Sequence, residues 1–307
     1  MKHTVVLDLD GSIGALPNRR VVPLGHWQEA LRFGCSMGML RRFRPALKAA
    51  LSDPYATVML GSGDFHHLSW PLIEQVSSRR PFQVVVLDNH PDNMRFPFGV
   101  HCGSWVRQVA LMPEVSHVHV VGICSRDIGC RHAWENYLTP LRRGKLSYWS
   151  AGVDVGWARA AGVGHAFHAF DSVGLMTAAF CERQRAWPLP TYMSIDKDVF
   201  TPDVARTNWD QGQMQLAHAA AIIRTHRDNL LGSDITGEVS AYRYRSWWKR
   251  KLSAMDDQPL VDKAALQEWQ QQQHRLNLVL LSMLHPTCAS ASAQSHAIMS
   301  RGRRGAG

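Results

Sequence analysis

Two short stretches of the chain place ligands for hard metal ions at alternate positions. Asp88, His90 and Asp92 do so in VVVLDNHPD, residues 84–92, and Asp196 and Asp198 in SIDKD, residues 194–198. A third stretch, GSGDFHHLS at 61–69, adds His66 and His67. Each follows an apolar run, and residues two apart on a strand project to the same face. Four carboxylates and at least two imidazoles directed into one space would repel one another unless cations neutralised them. Mixed carboxylate and histidine donors suit Mn²⁺ or a similar first-row ion better than a thiolate-based zinc site. The donors outnumber the needs of one ion. Two ions about 3.5–4 Å apart, sharing carboxylates, would use them all and could activate a water between them. Each stretch alone is weak, since Asp-x-Asp after a strand commonly caps a turn and a His–His pair is commonly packing. The conjunction at three strand ends carries the inference.

Strand-like apolar runs recur at 4–9, 56–60, 83–87, 117–121, 146–149 and 191–195. Between them, segments such as 26–51 and 211–229 space apolar residues by three and four, which predicts helices. The alternation predicts an α/β fold, a mostly parallel sheet between two helical layers. In such sheets ligands bind beyond the carboxyl ends of the strands, where the candidate ligands fall. No linker splits the chain, so one domain is expected over 1–285, ending in a long helix at 263–284. The small, polar and basic segment 286–307 is expected to be a disordered tail.

The 307 residues are 45% apolar and 19% charged, ordinary for a globular protein. The apolar runs are too short to span a membrane. The N-terminus enters a strand pattern without a signal-peptide core, so a cytoplasmic location is expected. Six scattered cysteines form no Cys-x-x-Cys pair, which argues against disulfides and a zinc knuckle. The net charge of +9 is split among separate clusters at 41–44, 247–251 and 301–304. Solvated faces account for such clusters, so no nucleic-acid partner is expected, while an acidic peptide segment would be tolerated.

LDNHPD resembles the D-A-H-x-D motif of the arginase/agmatinase (ureohydrolase) family, with Asn89 in place of the usual alanine. SIDKDVFTPD resembles its S-x-D-x-D-x-x-x-P motif, GSGDFHHLS its G-G-D-H-S turn with Phe65 inserted, and VVGICSRD, 120–127, its I-G-x-R-D strand. These likenesses run in the family's order over about residues 56–240. The resemblance implies an arginase-like fold and a dimanganese centre held by His66, Asp88, His90, Asp92, Asp196 and Asp198, with His67 competing for the place of His66. FGVHCGSWVR, 98–107, is similar to the family's H-G-x-x-x-R segment, which implies that His101 is a proton shuttle. LLGSDITGEVS, 230–240, resembles the strand whose glutamate receives the substrate guanidinium. That implies the role for Glu238, with Asp234 the competing carboxylate.

The implied reaction is hydrolysis of a guanidino group to urea and an amine. The segment 93–100, NMRFPFGV, is shorter and more apolar than the polar stretch with which arginases hold an α-carboxylate. The GDFHH and DNHPD variants look more like peptide arginases, which convert arginine residues of ribosomally made peptides to ornithine. An arginine-containing peptide is therefore the expected substrate, possibly with an acidic leader, and free arginine or agmatine the alternative. Homo-oligomerisation is open. Two readings lie outside this class. VVLDLDGSIG, 5–14, looks like the opening motif of haloacid-dehalogenase phosphatases, with Asp8 as nucleophile and Asp10 as general acid. The other is a non-catalytic metal-binding interaction protein.

Overall fold

Alternation along the apolar runs assigns their side chains to two different cores. Val84 and Val86 pack with Leu40, Phe43, Leu72 and Val106, whereas Val85 and Leu87 pack with Met176, Phe180, Ile222 and Leu276. A strand apolar on both faces belongs in the middle layer of a three-layer fold. The computed structural model, which describes residues 3–76, 80–255 and 262–286, has that architecture.

The strands are β1 His3–Asp8, β2 Arg19–Pro23, β3 Gly34–Cys35, β4 Tyr55–Ser62, β5 Phe82–Leu87, β6 Val100–His101, β7 Val115–Ile123, β8 Leu146–Ala151, β9 Phe167–Phe170, β10 Thr191–Asp196 and β11 Leu230–Glu238. Nine form one sheet in the order β2-β1-β4-β11-β10-β5-β7-β8-β9, and every adjacent pair is parallel. β3 and β6 form a separate antiparallel pair. Parallel order sends every carboxyl end to one edge of the sheet. The central strands β4, β11, β10 and β5 are neighbours there, which brings together 61–69, Glu238, 194–198 and 88–92. Each fully buried Val or Leu contributes about 1.5–3 kcal/mol. The two apolar layers thus offset the cost of gathering like charges at that edge.

All six expected strands are present, each within two residues of its expected ends. β2 and β9 were not expected; both are short strands at the sheet's two edges, half-buried to exposed, and lack an apolar run. The helical expectation over 26–51 is corrected. A helix does run over Met37–Ala50, capped by Ser36 Oγ on the Met39 amide at 3.2 Å. Before it come a 3₁₀ turn at Gly25–Trp27, a single helical turn at Gln28–Leu31, and β3. The break falls where Phe33 takes φ +67° and Arg32 turns inward to meet Asp64. Likewise 211–229 becomes helical only from Leu216, as an α-helix to His226 and a 3₁₀ turn over Arg227–Asn229, because Gly212 donates to the Asp198 carbonyl at 2.7 Å and draws the preceding loop back to the sheet. The long helix is Lys263–Leu284, with Asp262 capping the Ala265 amide at 2.8 Å. Apart from Pro286, the expected disordered tail lies outside the described residues. Among the described residues, no helix is long and apolar enough to cross a membrane.

Candidate metal centre

β5 runs into Asp88, and the chain then turns so sharply that Asp92 sits at φ +47°. This turn brings Asp88, His90 and Asp92 against the end of β10, where Asp196 closes the strand and Asp198 follows within a 3₁₀ turn. From β4, the 3₁₀ segment Gly63–Leu68 brings in His66. Its Nδ1 lies 3.2 Å from Asp88 Oδ2, 2.9 Å from Asp92 Oδ2 and 3.2 Å from Asp196 Oδ2. His90 Nδ1 lies 3.0 Å from Asp198 Oδ2 and 3.5 Å from Asp88 Oδ1. Two ligand groups result, His66–Asp88–Asp196 and Asp88–His90–Asp198, with donor atoms within 4.8 Å of one another in each. Asp88 belongs to both.

The backbone accommodates this crowding at Gly237, at φ +90°, where a Cβ would stand 2.5 Å from Asp196 Oδ1 and 2.6 Å from the Lys197 nitrogen. Only glycine allows β11 to pass so close to the carboxylate.

The charges are far from their ordinary states. Burial, reinforced by Asp88, pushes the Asp92 and Asp198 carboxyls up to about 7. Burial and the neighbouring Asp198 push Asp196 well above the carboxylate range. Burial opposes the imidazolium of His66 and of His90, yet the facing carboxylates raise both. Asp88 goes the other way, its burial outweighed by the two imidazoles. Protein groups alone neutralise this cluster only by holding protons, whereas two divalent cations would do so with the carboxylates ionised. The donor set, four carboxylates and two imidazoles divided into two groups sharing one carboxylate, fits such a pair of ions.

Each imidazole turns its Nδ1 inward because its Nε2 is engaged. His66 Nε2 is 3.0 Å from Ser194 Oγ, which donates to Asp234 Oδ1 at 2.7 Å. Asp234 also accepts from Ser69 Oγ at 3.0 Å and Tyr192 OH at 2.7 Å. Ser194 having spent its proton on Asp234, it accepts from His66 Nε2–H, so that once Nδ1 gives up its own proton the lone pair there faces the carboxylates. Asp92 Oδ2 accepts from Trp105 Nε1 at 2.6 Å. Of these partners only Asp234 was singled out in the sequence, and as a competitor of Glu238; Ser194 stands two residues before Asp196, and that spacing was the available signal.

The competing residues separate in position. His67 is fully buried, faces none of the four carboxylates, and has no partner on either ring nitrogen. Asp234 is buried among hydroxyls. Glu238, also buried, receives Lys197 Nζ at 2.5 Å and Asn277 Nδ2 at 2.6 Å, both on Oε1. His101 accepts the Gly103 amide on Nδ1 at 3.0 Å, and burial holds its pKa down to about 4. Its ring joins a chain of aromatic contacts: Phe98 to Phe96 at 5.7 Å, Phe96 to His101 at 4.5 Å, His101 to Phe33 at 5.9 Å, Phe33 to Trp209 at 6.4 Å, and Trp209 to His90 at 6.2 Å.

The phosphatase-like motif has another use. Asp10 Oδ2 meets Arg32 Nη1 at 3.3 Å, the Ser62 amide at 3.3 Å and Ser240 Oγ at 3.0 Å. Buried Arg32 also pairs with Asp64 at 2.7 Å and so fixes the turn that presents His66. A carboxylate committed to a buried guanidinium is not free to act as a general acid.

The Arginase family model matches residues 11–143, a span that contains His66, Asp88, His90, Asp92 and His101. An uncharacterised protein of Thermotoga maritima is 26% identical over 210 residues, 68% of each chain. Three solved structures share the fold. Proclavaminate amidino hydrolase from Streptomyces clavuligerus is 17% identical, with 92% of this chain and 93% of that one covered and a TM-score of 0.52. Agmatine ureohydrolase of Thermoplasma volcanium is 12% identical, covering 92% and 90% at a TM-score of 0.53. Arginase from Bacillus subtilis is 10% identical, covering 94% and 99% at a TM-score of 0.54. Over residues 11–143 the sequence matches the Arginase family model, and over nearly its whole length the chain shares the fold of these three enzymes.

Proposed function

We propose that the protein is a metal-dependent hydrolase that cleaves a guanidino group to urea and an amine, acting on arginine residues of a peptide to leave ornithine. The observation that carries this reading is the pair of ligand groups joined by Asp88, each with an imidazole Nδ1 turned inward. His66, Asp88, Asp92 and Asp196 would hold one ion, and Asp88, His90 and Asp198 the other; Mn²⁺ suits these donors. When bound, the two ions supply Lewis acidity and lower the pKa of a water that attacks the guanidino carbon.

The chain's own groups orient the substrate and move its proton. Lys197 and Asn277 fix Glu238 through Oε1, so Oε2 is the oxygen that receives the guanidinium in a charge-assisted hydrogen bond. His101 is neutral, and because Nδ1 accepts from Gly103, its proton sits on Nε2. A proton taken from solvent onto Nδ1, with loss of the Gly103 contact, lets Nε2–H pass to the departing amine. The carbon–nitrogen bond then breaks to urea and amine. The aromatic chain from Phe98 to Trp209 offers apolar surface and no α-carboxylate clamp, which favours a guanidinium borne on a larger molecule over free arginine.

The Mn²⁺-loaded protein is to be incubated with arginine-containing peptides, free arginine and agmatine, and followed by mass spectrometry and urea release. Loss of CH₂N₂ from an arginine residue is expected. Turnover of free arginine or agmatine but of no peptide would assign a small guanidine instead. No urea from any of them would leave a non-catalytic metal-binding protein.

A further inference from the structure

The loop that follows the second ligand pair returns to the metal centre at Asp210. Its Oδ1 lies 2.6 Å from His90 Nε2. Its Oδ2 accepts from Asn89 Nδ2 at 3.1 Å, and its backbone carbonyl lies 3.2 Å from the same amide. Asn89 is itself pinned, because its backbone amide donates to Asp198 Oδ1 at 3.2 Å and its Oδ1 accepts from the Cys124 amide at 3.1 Å. The loop is drawn in by the Gly212 amide on the Asp198 carbonyl and by Trp209, whose indole Cδ1 would lie 3.1 Å from a Cβ at Gly63.

A neutral imidazole has one N–H and one lone pair, so whichever group accepts at one nitrogen decides which nitrogen can bind a metal. An acceptor carboxylate at Nε2 puts the proton there and directs the Nδ1 lone pair at Asp88 and Asp198. It also makes the ring a better donor to a cation. The two imidazoles of the centre therefore differ. His66 is oriented through Ser194 by the fully buried Asp234, whereas His90 is oriented by a carboxylate whose side chain is 66% exposed.

We propose that Asp210 is a positioning residue that holds His90 in the Nε2–H tautomer, with Asn89 as its clamp, and that the ion position containing His90 therefore depends on a surface loop while the position containing His66 does not. This rests on the two-ion reading given above. It also accounts for Asn89, since the alanine usual at that place in the motif could not hold Asp210.

Binding of Mn²⁺ alone to the metal-free full-length protein tests it, by equilibrium dialysis. The wild type is expected to take up two equivalents. Asp210→Ala is expected to weaken one equivalent by about 10–100-fold and leave the other unchanged. Asn89→Ala is expected to act in the same direction more weakly, and Asp210→Glu to restore part of the loss. In the metal-free protein at a pH where His90 is neutral, the ring nitrogen signals of His90 are expected to report Nε2–H in the wild type and a tautomer mixture in Asp210→Ala. Unchanged binding of both equivalents in Asp210→Ala would overturn the proposal, as would equal weakening of both. Unchanged binding with a raised KM would also overturn it, making Asp210 a substrate contact. A wild type that binds fewer than two equivalents would instead overturn the two-ion reading itself.

Discussion

Lys197 Nζ lies 2.5 Å from Glu238 Oε1, and both side chains are buried. Lys197 also donates to Asn277 Oδ1 at 3.0 Å, so the pair ties the Asp-Lys-Asp turn to the long C-terminal helix. A buried pair is weak evidence of net stability, but removing one partner strands the other charge at a cost of about 3–5 kcal/mol. Lys197→Met is expected to lose that much in denaturant unfolding. The Lys197→Met, Glu238→Gln double variant is expected to recover much of the loss. Additive losses would show that the two groups are not coupled.

The Ser194 hydroxyl is expected to matter for metal rather than for packing. Ser194→Ala removes the acceptor for His66 Nε2–H and frees the ring to adopt the other tautomer. The expected result is a loss of about 10–100-fold in affinity for one Mn²⁺ equivalent. Calorimetric titration of the metal-free variant checks this. Asp234→Asn is expected to act in the same sense, because the Ser194 proton then loses its carboxylate acceptor.

What the sequence revealed follows from how local each signal is. The apolar runs of β1, β4, β5, β7, β8 and β10 are visible because burial on both faces leaves little room for polar residues. The same runs point to Asp88 and Asp196 only jointly, since either alone reads as a turn cap, which each also is, Asp88 Oδ1 accepting the His90 amide and Asp196 Oδ1 the Asp198 amide. β2 and β9 were invisible because an edge strand needs no such run. The helix break near residue 32 was hidden because its cause, the Arg32–Asp64 pair, spans 32 positions. Asp210 was hidden for the same reason, as it meets His90 from 120 positions away. Its own neighbours, Trp209 and Gln211, carry no metal-ligand spacing. Nothing local in SIDKD marks Lys197 as buried, and only its distance from Glu238 shows why it is.

Away from the metal centre, His226 gives a pH prediction. Thr191 Oγ1 donates to the Leu189 carbonyl, so His226 Nδ1, 3.2 Å away, supplies the proton between them. Nε2 is then the lone-pair nitrogen, buried and unpartnered, with the Phe180 ring centroid 6.0 Å from that of the imidazole. Burial holds this histidine down to about 4, against an ordinary value of about 6.5. Between those values the unfolded chain binds more protons than the folded one, so stability falls as pH drops from about 6.5 toward 4. His226→Leu is expected to flatten that part of the curve, read from thermal midpoints between pH 4 and 7. An unchanged slope would assign acid sensitivity to other groups, of which His119, equally buried and also lowered, is the first to examine.

The aromatic chain makes the last prediction specific to substrate size. Phe98 is 73% exposed, yet its ring begins the series of contacts that reaches His101 through Phe96. An exposed aromatic beside a site is well placed to cover the residues that flank a reacting arginine in a peptide, and aromatics are prominent among the minority of contact residues worth more than 1 kcal/mol. Phe98→Ala is therefore expected to raise KM for a peptide substrate by about tenfold, which corresponds to about 1.4 kcal/mol, with kcat little changed. Turnover of a free guanidine, which is too small to reach Phe98, is expected to be unaffected. Steady-state kinetics on both substrate types separates the cases. Equal effects on both would mean that Phe98 acts through His101 and not on the substrate's flanks.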